Sequence, residues 1–293
     1  MLYIYLDTSF LSQLTKVARG LPRVSNIEKW ANLLTLLRQG VNRGILLCPP
    51  SQFQIEELML AKGLFQQFVS FQLELSKGCY FKKYQDILVH QVANQVLIYL
   101  KRPQHIDLGW KAFTSTSPPV RDAFTTAIAR LNMVWYAELA RRLREKYSRK
   151  LSYNEYYREE KSDFLRQTFL NPNSDWLGIL ISEAKIQEKD ISTLLRFFNS
   201  KSVDCVPFIS IFCSLWASTI FHEQTRTYKS GDLYDVVALA CAIPYCQIIT
   251  TDSNMKNIMG RLDFNKKYGV SVYTPTIKDL EDFVKVLSGL KSK

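Results

Sequence analysis

Apolar residues first gather in the run Tyr3-Ile4-Tyr5-Leu6, which stops at Asp7-Thr8-Ser9. A short β-rich run closed by helix-capping residues predicts a buried strand leading into a helix. From Asn26 to Gln39 the apolar positions Ile27, Trp30, Leu33, Leu34 and Leu37 keep helical spacing, and Gly40 is the expected C-terminal stop. Ile45-Leu46-Leu47-Cys48 predicts a second strand, ended by Pro49-Pro50, after which Ser51 opens a helix carrying Glu56 and Glu57. Strand, helix, strand, helix is the alternation of a parallel α/β sheet.

Between residues 62 and 204 the pattern is helical, with breaks at Arg102-Pro103, Ser117-Pro118-Pro119 and Asn171-Pro172-Asn173 and almost no strand signal. Beyond it, Pro207 to Glu223 reads as a helix, and Ser230 can cap another that runs through Asp232, Asp235 and Leu239. Strands are expected at Cys246–Thr250 and Val270–Tyr273. The expected organisation is one α/β domain made of residues 1–61 and 205–293, interrupted by an all-helical insertion over 62–204.

That layout places acids at corresponding positions. In parallel sheets, ligands bind outside the carboxyl ends of the strands. Asp7 follows the first predicted strand and Asp252 follows Ile248-Ile249-Thr250-Thr251. Glu57 and Asp235 lie near the starts of helices that begin on the same rim, and Asp232 shares the helix face of Asp235. Like charges about 4 Å apart repel by roughly 4 kcal/mol at an effective dielectric near 20, so a cluster of this kind asks for compensation. Carboxylate oxygens suit Mg²⁺ or Mn²⁺, and two such ions can activate water and stabilise a leaving oxygen. Each acid also has a purely structural reading, as a helix cap or a favourable charge at a helix N-terminus, and Glu56 reads as a solvated neighbour of Glu57.

Composition narrows the class. Hydrophobic residues make up 47% and charged residues 22%, which supports a full core and excludes wholesale disorder. No apolar run approaches the roughly 18 to 20 residues of a membrane span. The six cysteines are scattered without a CxxC pair, and Asp7 interrupts the apolar start too early for a signal-peptide core, so the expected location is the cytoplasm. Three separated histidines, His90, His105 and His222, suggest neither a zinc site nor a nucleophile–base pair.

Four segments together resemble the motifs of PIN-domain nucleases, in order along the chain. Tyr3-Ile-Tyr-Leu-Asp7-Thr8-Ser9 resembles their opening strand and first acid. Ser51-Gln-Phe-Gln-Ile-Glu-Glu57-Leu58 resembles the second motif, and Ser230-Gly-Asp232-Leu-Tyr-Asp235-Val-Val-Ala-Leu-Ala the third. Ile248-Ile-Thr-Thr-Asp252-Ser253-Asn254 resembles the fourth. The resemblance spans the two ends and none of the helical middle. It implies a three-layer α/β/α fold with a central parallel sheet. It also implies Asp7, Glu57, Asp235 and Asp252 as metal-binding acids, with Asp232 as a second candidate for the third acid and Ser9 or Ser253 as polar support. The implied activity is Mg²⁺- or Mn²⁺-dependent hydrolysis of RNA, less often of DNA; a toxin or defence effector is one role open to such an enzyme, and the length of the chain, about twice that of small toxin-type members, does not single it out. A structure-specific DNA nuclease and a catalytically inactive nucleic-acid-binding adaptor stand as alternatives. Pro244-Tyr245-Cys246 departs from the glycine-containing link often found before the last motif.

The net charge of +11 fits a polyanion partner, and segment arithmetic places +7 of it in residues 61–204. Within Arg121–Lys150 there are eight bases and three acids. If Val120 to Tyr147 is one helix, Phe124, Ile128, Leu131, Trp135 and Leu139 share a face, with Arg130, Arg141 and Arg144 opposite. Those arginines are the candidate nucleic-acid contacts, weighed against an ordinary solvated face; RNA is favoured over DNA, and a homo-oligomer is compatible with the chain. Tyr153, Tyr156 and Tyr157 could stack bases, although packing is the commoner use of such spacing.

Overall fold

In the computed structural model, the described residues are 1–22, 24–60, 65–102, 112–115, 150–172, 174–222 and 230–290, with 126, 127, 129–131, 134, 138 and 141 between them. The chain forms two compact units: Met1–Lys82 with Phe113–Met133 and Tyr245–Lys293, and Lys83–Ala112 with Val134–Pro244.

The first unit is built on a four-stranded parallel sheet. Its strands are β1 (Leu2–Tyr5), β2 (Leu46–Leu47), β5 (Ile248–Thr250) and β6 (Ser271–Tyr273), in the order β2-β1-β5-β6. A separate antiparallel ribbon pairs β3 (Tyr80–Phe81) with β4 (Phe113–Thr114). Strand β1 is central: Leu2 pairs with Leu46 on one side, and Ile4 and Tyr5 pair with Ile248 and Ile249 on the other. The unit's helices are α1 (Thr8–Ala18), α2 (Ile27–Asn42), α3 (Gln52–Leu60), α4 (Phe65–Ser76), α11 (Ser253–Arg261), α12 (Phe264–Tyr268) and α13 (Ile277–Gly289).

Alternation along β1 divides its side chains. Ile4 and Leu6 enter a core with Phe10, Leu14, Leu33, Leu37 and Phe283, contributed by α1, α2 and α13. Tyr3 and Tyr5 point the other way: Tyr3 stacks on Phe113 at 4.2 Å, and Tyr5 meets Phe81 edge-on at 6.4 Å. The β3–β4 ribbon therefore supplies the aromatic partners of the second face of β1.

Gly40 does not end its helix. Helix α2 continues to Asn42, and the left-handed residue that follows is Gly44, at φ +67°. Gly40 serves close packing instead, because a Cβ there would stand 2.5 Å from Leu46 Cδ2.

The described part of the second unit is helical: α5 (Tyr84–Tyr99), α6 (Tyr153–Thr168), α7 (Trp176–Glu183), α8 (Ile191–Phe198), α9 (Pro207–His222) and α10 (Ser230–Ala242). The boundaries differ from the expected 62 and 204. Helix α9 is buried on nearly every side from Phe208 to Ile220, and it packs against α5, α6 and α10. A helix apolar all round belongs at the centre of a bundle, so residues 205–244 join the helical unit rather than the sheet. Residues 65–82 and the ribbon go the other way, with Phe65, Phe68, Phe71 and Leu75 packing into the core beneath β1.

Other sequence expectations resolve locally. Tyr156 is fully buried and Tyr157 donates its hydroxyl to Asp204 at 2.8 Å, so both serve packing. Leu131 is 68% exposed instead of facing inward, while its neighbour Ala129 is buried. The remaining members of that expected apolar face lie outside the described residues. No described helix is long and apolar enough to cross a membrane.

Candidate active site at the sheet edge

Between β1 and β5 the direction of chain progression across the sheet reverses: β2 follows β1 on one side, while β5 and then β6 extend the other. Such a reversal opens a crevice at the carboxyl ends of the strands. Asp7 and Asp252 stand there, each two residues beyond its strand.

Both aspartates begin helices. Asp7 is the N-cap of α1, where Oδ1 accepts from Ser9 N–H at 2.8 Å and Oδ2 accepts from the Ser9 hydroxyl at 2.8 Å. Asp252 caps α11, with Oδ1 accepting from Met255 N–H at 2.7 Å. The Asp7 N–H donates to Thr250 Oγ1 at 2.8 Å, which ties the end of β1 to the end of β5. Capping and a strand-end position are therefore one arrangement: the cap bonds hold each carboxylate at the rim, in the positive end of its helix dipole.

Glu57 reaches the same neighbourhood through α3. Ser51 and Gln54 cap that helix reciprocally: the Ser51 N–H donates to Gln54 Oε1 at 2.8 Å, and the Gln54 N–H donates to Ser51 Oγ at 3.3 Å. The Gln54 amide also donates to the Leu6 carbonyl, so the start of α3 is anchored to the chain directly before Asp7. One turn on, Glu57 Oε2 accepts the Thr8 hydroxyl at 2.5 Å.

The electrostatics carry the mark of this crowding. Burial raises the Asp7 carboxyl above the ordinary carboxylate range; the two Ser9 bonds oppose the rise, and the charge of Asp252 adds to it. Burial likewise raises Glu57, against the Thr8 bond, and Asp7 and Glu56 raise it further. Glu56 is not simply solvated, since Gln52 Nε2 donates to its Oε1 at 2.8 Å.

The acids form a chain of interacting pairs rather than a closed cage. Among the described residues, no three of His, Cys, Asp and Glu group closely enough to hold an ion. Asp232 and Asp235 belong to the second unit, on α10; Asp232 is buried in the first turn and Asp235 is half-buried. Of the expected supports, Ser9 bonds Asp7 twice, while Ser253 is the exposed first residue of α11. Thr8, Gln54 and Thr250 were not anticipated as parts of the site. A Thr beside an acid and a Gln inside a helix carry no sequence signal of their own, because their partners lie 49, 48 and 243 residues away.

Arg130 is exposed in the first unit. Arg141, in the second, is held by Glu138 through bonds of 2.9 and 2.8 Å, and Arg144 lies outside the described residues.

Compared with known proteins, the chain matches no family model, no curated protein and no solved structure.

The donor set at the sheet edge is all oxygen, and two of its carboxylates are destabilised as anions by burial and by their neighbours. Hard divalent cations take such donors and relieve such repulsion. In donor type Asp7, Glu57 and Asp252 are oxygen ligands of the kind such ions take, although among the described residues they do not group as a set of three.

Proposed function

We propose that this protein is a divalent-metal-dependent nuclease that hydrolyses RNA, built on a three-layer PIN-like α/β/α domain. One observation carries the reading: Asp7 and Asp252 leave adjacent parallel strands where strand order reverses, and Asp252 raises the proton affinity of Asp7. Asp7 and Asp252 would hold the ion, with Glu57 beside Asp7 completing its surroundings. Bound there, a Mg²⁺ or Mn²⁺ would supply water activation and neutralise charge on the phosphate. The chain's own part is orientation. Ser9 fixes both oxygens of Asp7, Thr8 fixes one oxygen of Glu57, and Thr250 fixes the backbone of Asp7 against β5. The PIN resemblance also assigns Asp235, with Asp232 as its alternative; Asp235→Asn and Asp232→Asn test that assignment separately. Arg130 is the exposed base proposed to meet phosphates. Its loss should lower the salt dependence of binding by about one unit of slope, while Arg141→Ala should change little.

A specific observation favours a second reading. Asp7 and Asp252 both cap helices, and among the described residues no three ligating side chains form a cage. A nucleic-acid-binding adaptor that keeps these acids as caps would look the same locally. Purified protein incubated with Mn²⁺ and labelled RNA, single-stranded DNA or duplex DNA, with EDTA controls, separates the readings. EDTA-sensitive loss of RNA supports the ribonuclease, selective loss of DNA supports a DNA nuclease, and salt-sensitive binding without cleavage supports the adaptor.

A further inference from the structure

Helix α7 of the second unit is apolar in sequence, Trp176-Leu-Gly-Ile-Leu-Ile-Ser-Glu183, yet Leu180 is its single buried residue. The helix packs against α5, and its Gly178, Ile179 and Ser182 line an open groove of about 890 Å³ that Leu170 and Leu195 of α8 also border. Ile179 is 52% exposed, Leu195 42% and Leu170 38%. Large aliphatic side chains gathered around one groove form a patch rather than scattered surface residues, and such patches mark docking sites.

The helix itself constrains what docks there. Gly178 and Ser182 are four residues apart and so share a face, and a Cβ at Gly178 would meet nothing within 4 Å. Small residues on one face let a second helix approach closely, without side chains holding the backbones apart. The ends of the helix carry opposite charges, Asp175 directly before it and Lys185 two residues beyond it. Both are exposed, and among the described residues neither has an ion-pair partner. The pair Asp175 and Lys185 and the pair Gly178 and Ser182 have the same midpoint, Leu180. A two-fold axis level with Leu180 would therefore set an antiparallel copy of α7 with Gly178 opposite Ser182 and Asp175 opposite Lys185, each contact made twice. An unrelated helix would account for the apolar walls but not for the shared midpoint.

We propose that this groove is the seam of a homodimer, in which the α7 helices of two copies cross antiparallel at Gly178 and Ser182. Ile179 and Leu195 are covered around the crossing, and Asp175 of each copy faces Lys185 of the other at the rim, where complementary charge fixes orientation. The dimer does not depend on the proposed nuclease chemistry and stands or falls separately.

Sedimentation velocity of the full chain over a range of concentrations tests it. The expected result is a concentration-dependent species of twice the monomer mass. Gly178→Leu should raise the dimer Kd about tenfold or more by blocking the close approach. Its Cβ meets no neighbour within the chain and leucine is the better helix former, so the thermal stability of the monomer should hold. Asp175→Lys and Lys185→Asp should each weaken the dimer, and the double reversal should restore it. Asp175 makes no cap bond to lose, and aspartate tolerates the left-handed backbone of Lys185, at φ 48°. Circular dichroism checks every variant; if Gly178→Leu misfolds, the charge reversals carry the test. A chain that stays monomeric at concentrations on the order of 100 μM overturns the proposal. So does a dimer indifferent to Gly178→Leu, or one whose single reversals are not rescued by the double. Capture of a synthetic amphipathic helix by a monomeric chain, lost in Gly178→Leu, would make the occupant a foreign helix and overturn it as well.

Discussion

Replacing Glu57 by Gln should stabilise the protein at neutral pH. Glu57 is half-buried, and its proton affinity is raised by burial, by Asp7 and by Glu56, even with the opposing Thr8 hydrogen bond included. Its negative charge is thus a net burden on the folded state. The amide oxygen of Gln can still accept from Thr8, at the loss of about 1 kcal/mol as a charge-assisted bond becomes a neutral one. Against that loss stands like-charge repulsion: two carboxylates about 6 Å apart repel by about 3 kcal/mol at an effective dielectric near 20, less after screening at a half-exposed position. The expected balance is a gain on the order of 1 kcal/mol at pH 7, read as a higher urea midpoint with unchanged slope in EDTA-containing buffer. The pH dependence fixes the sign. An acid whose folded-state pKa is raised burdens stability above that folded value, and the burden vanishes below its ordinary value of 4.5. The advantage of Glu57→Gln should therefore be largest at pH 7 to 8 and fade as pH falls toward 4.5. A variant less stable than wild type at pH 7, or a difference that ignores pH, would refute the reasoning.

Three further outcomes rest on the fold. Gln54→Met should lower stability by at least about 2 kcal/mol in urea denaturation, because Gln54 is buried and its loss strands the Leu6 carbonyl and the Ser51 N–H. Gly40→Ala places a Cβ 2.5 Å from Leu46 Cδ2; overpacking of about 1–3 kcal/mol outweighs the roughly 1 kcal/mol gained in helix propensity, and Leu46→Ala should relieve part of the strain in a double-mutant cycle. Asp279→Asn should weaken the fold by about 1–3 kcal/mol at pH 7. Burial pushes the Asp279 carboxyl up, but Lys256 and Thr274 more than offset it and hold it below its ordinary value. That stability is present above pH 3.8 and lost as pH falls through the lowered folded pKa, so wild type and variant should converge in acid.

The parts of this fold that declare themselves in sequence are those with local causes. Strand β1 and its terminal Asp7 are legible because four consecutive β-formers end on a capping residue, and the same holds for Ile248–Thr250 and Asp252. The β3–β4 ribbon is not, because each strand is two residues long and its partner lies some thirty residues away, leaving no period to detect. Gly40 has the composition of a helix stop, and only the position of Leu46 makes it a contact residue. The division of the chain was hidden in α9: its burial on all sides, which assigns residues 205–244 to the helical unit, is a property of the bundle around it. At the site, the acids were readable and their supports were not, since Thr8, Gln54 and Thr250 act through partners distant in sequence.

The measurement closest to the central claim is Mn²⁺-dependent cleavage of labelled single-stranded RNA by wild type and Asp7→Asn. Asn caps a helix about as well as Asp, so the cap and the fold should survive the exchange. The account predicts EDTA-sensitive cleavage by wild type and none by Asp7→Asn, with circular dichroism and melting behaviour preserved. Cleavage by Asp7→Asn at the wild-type rate, or a wild-type protein that binds RNA and leaves it intact, would contradict it.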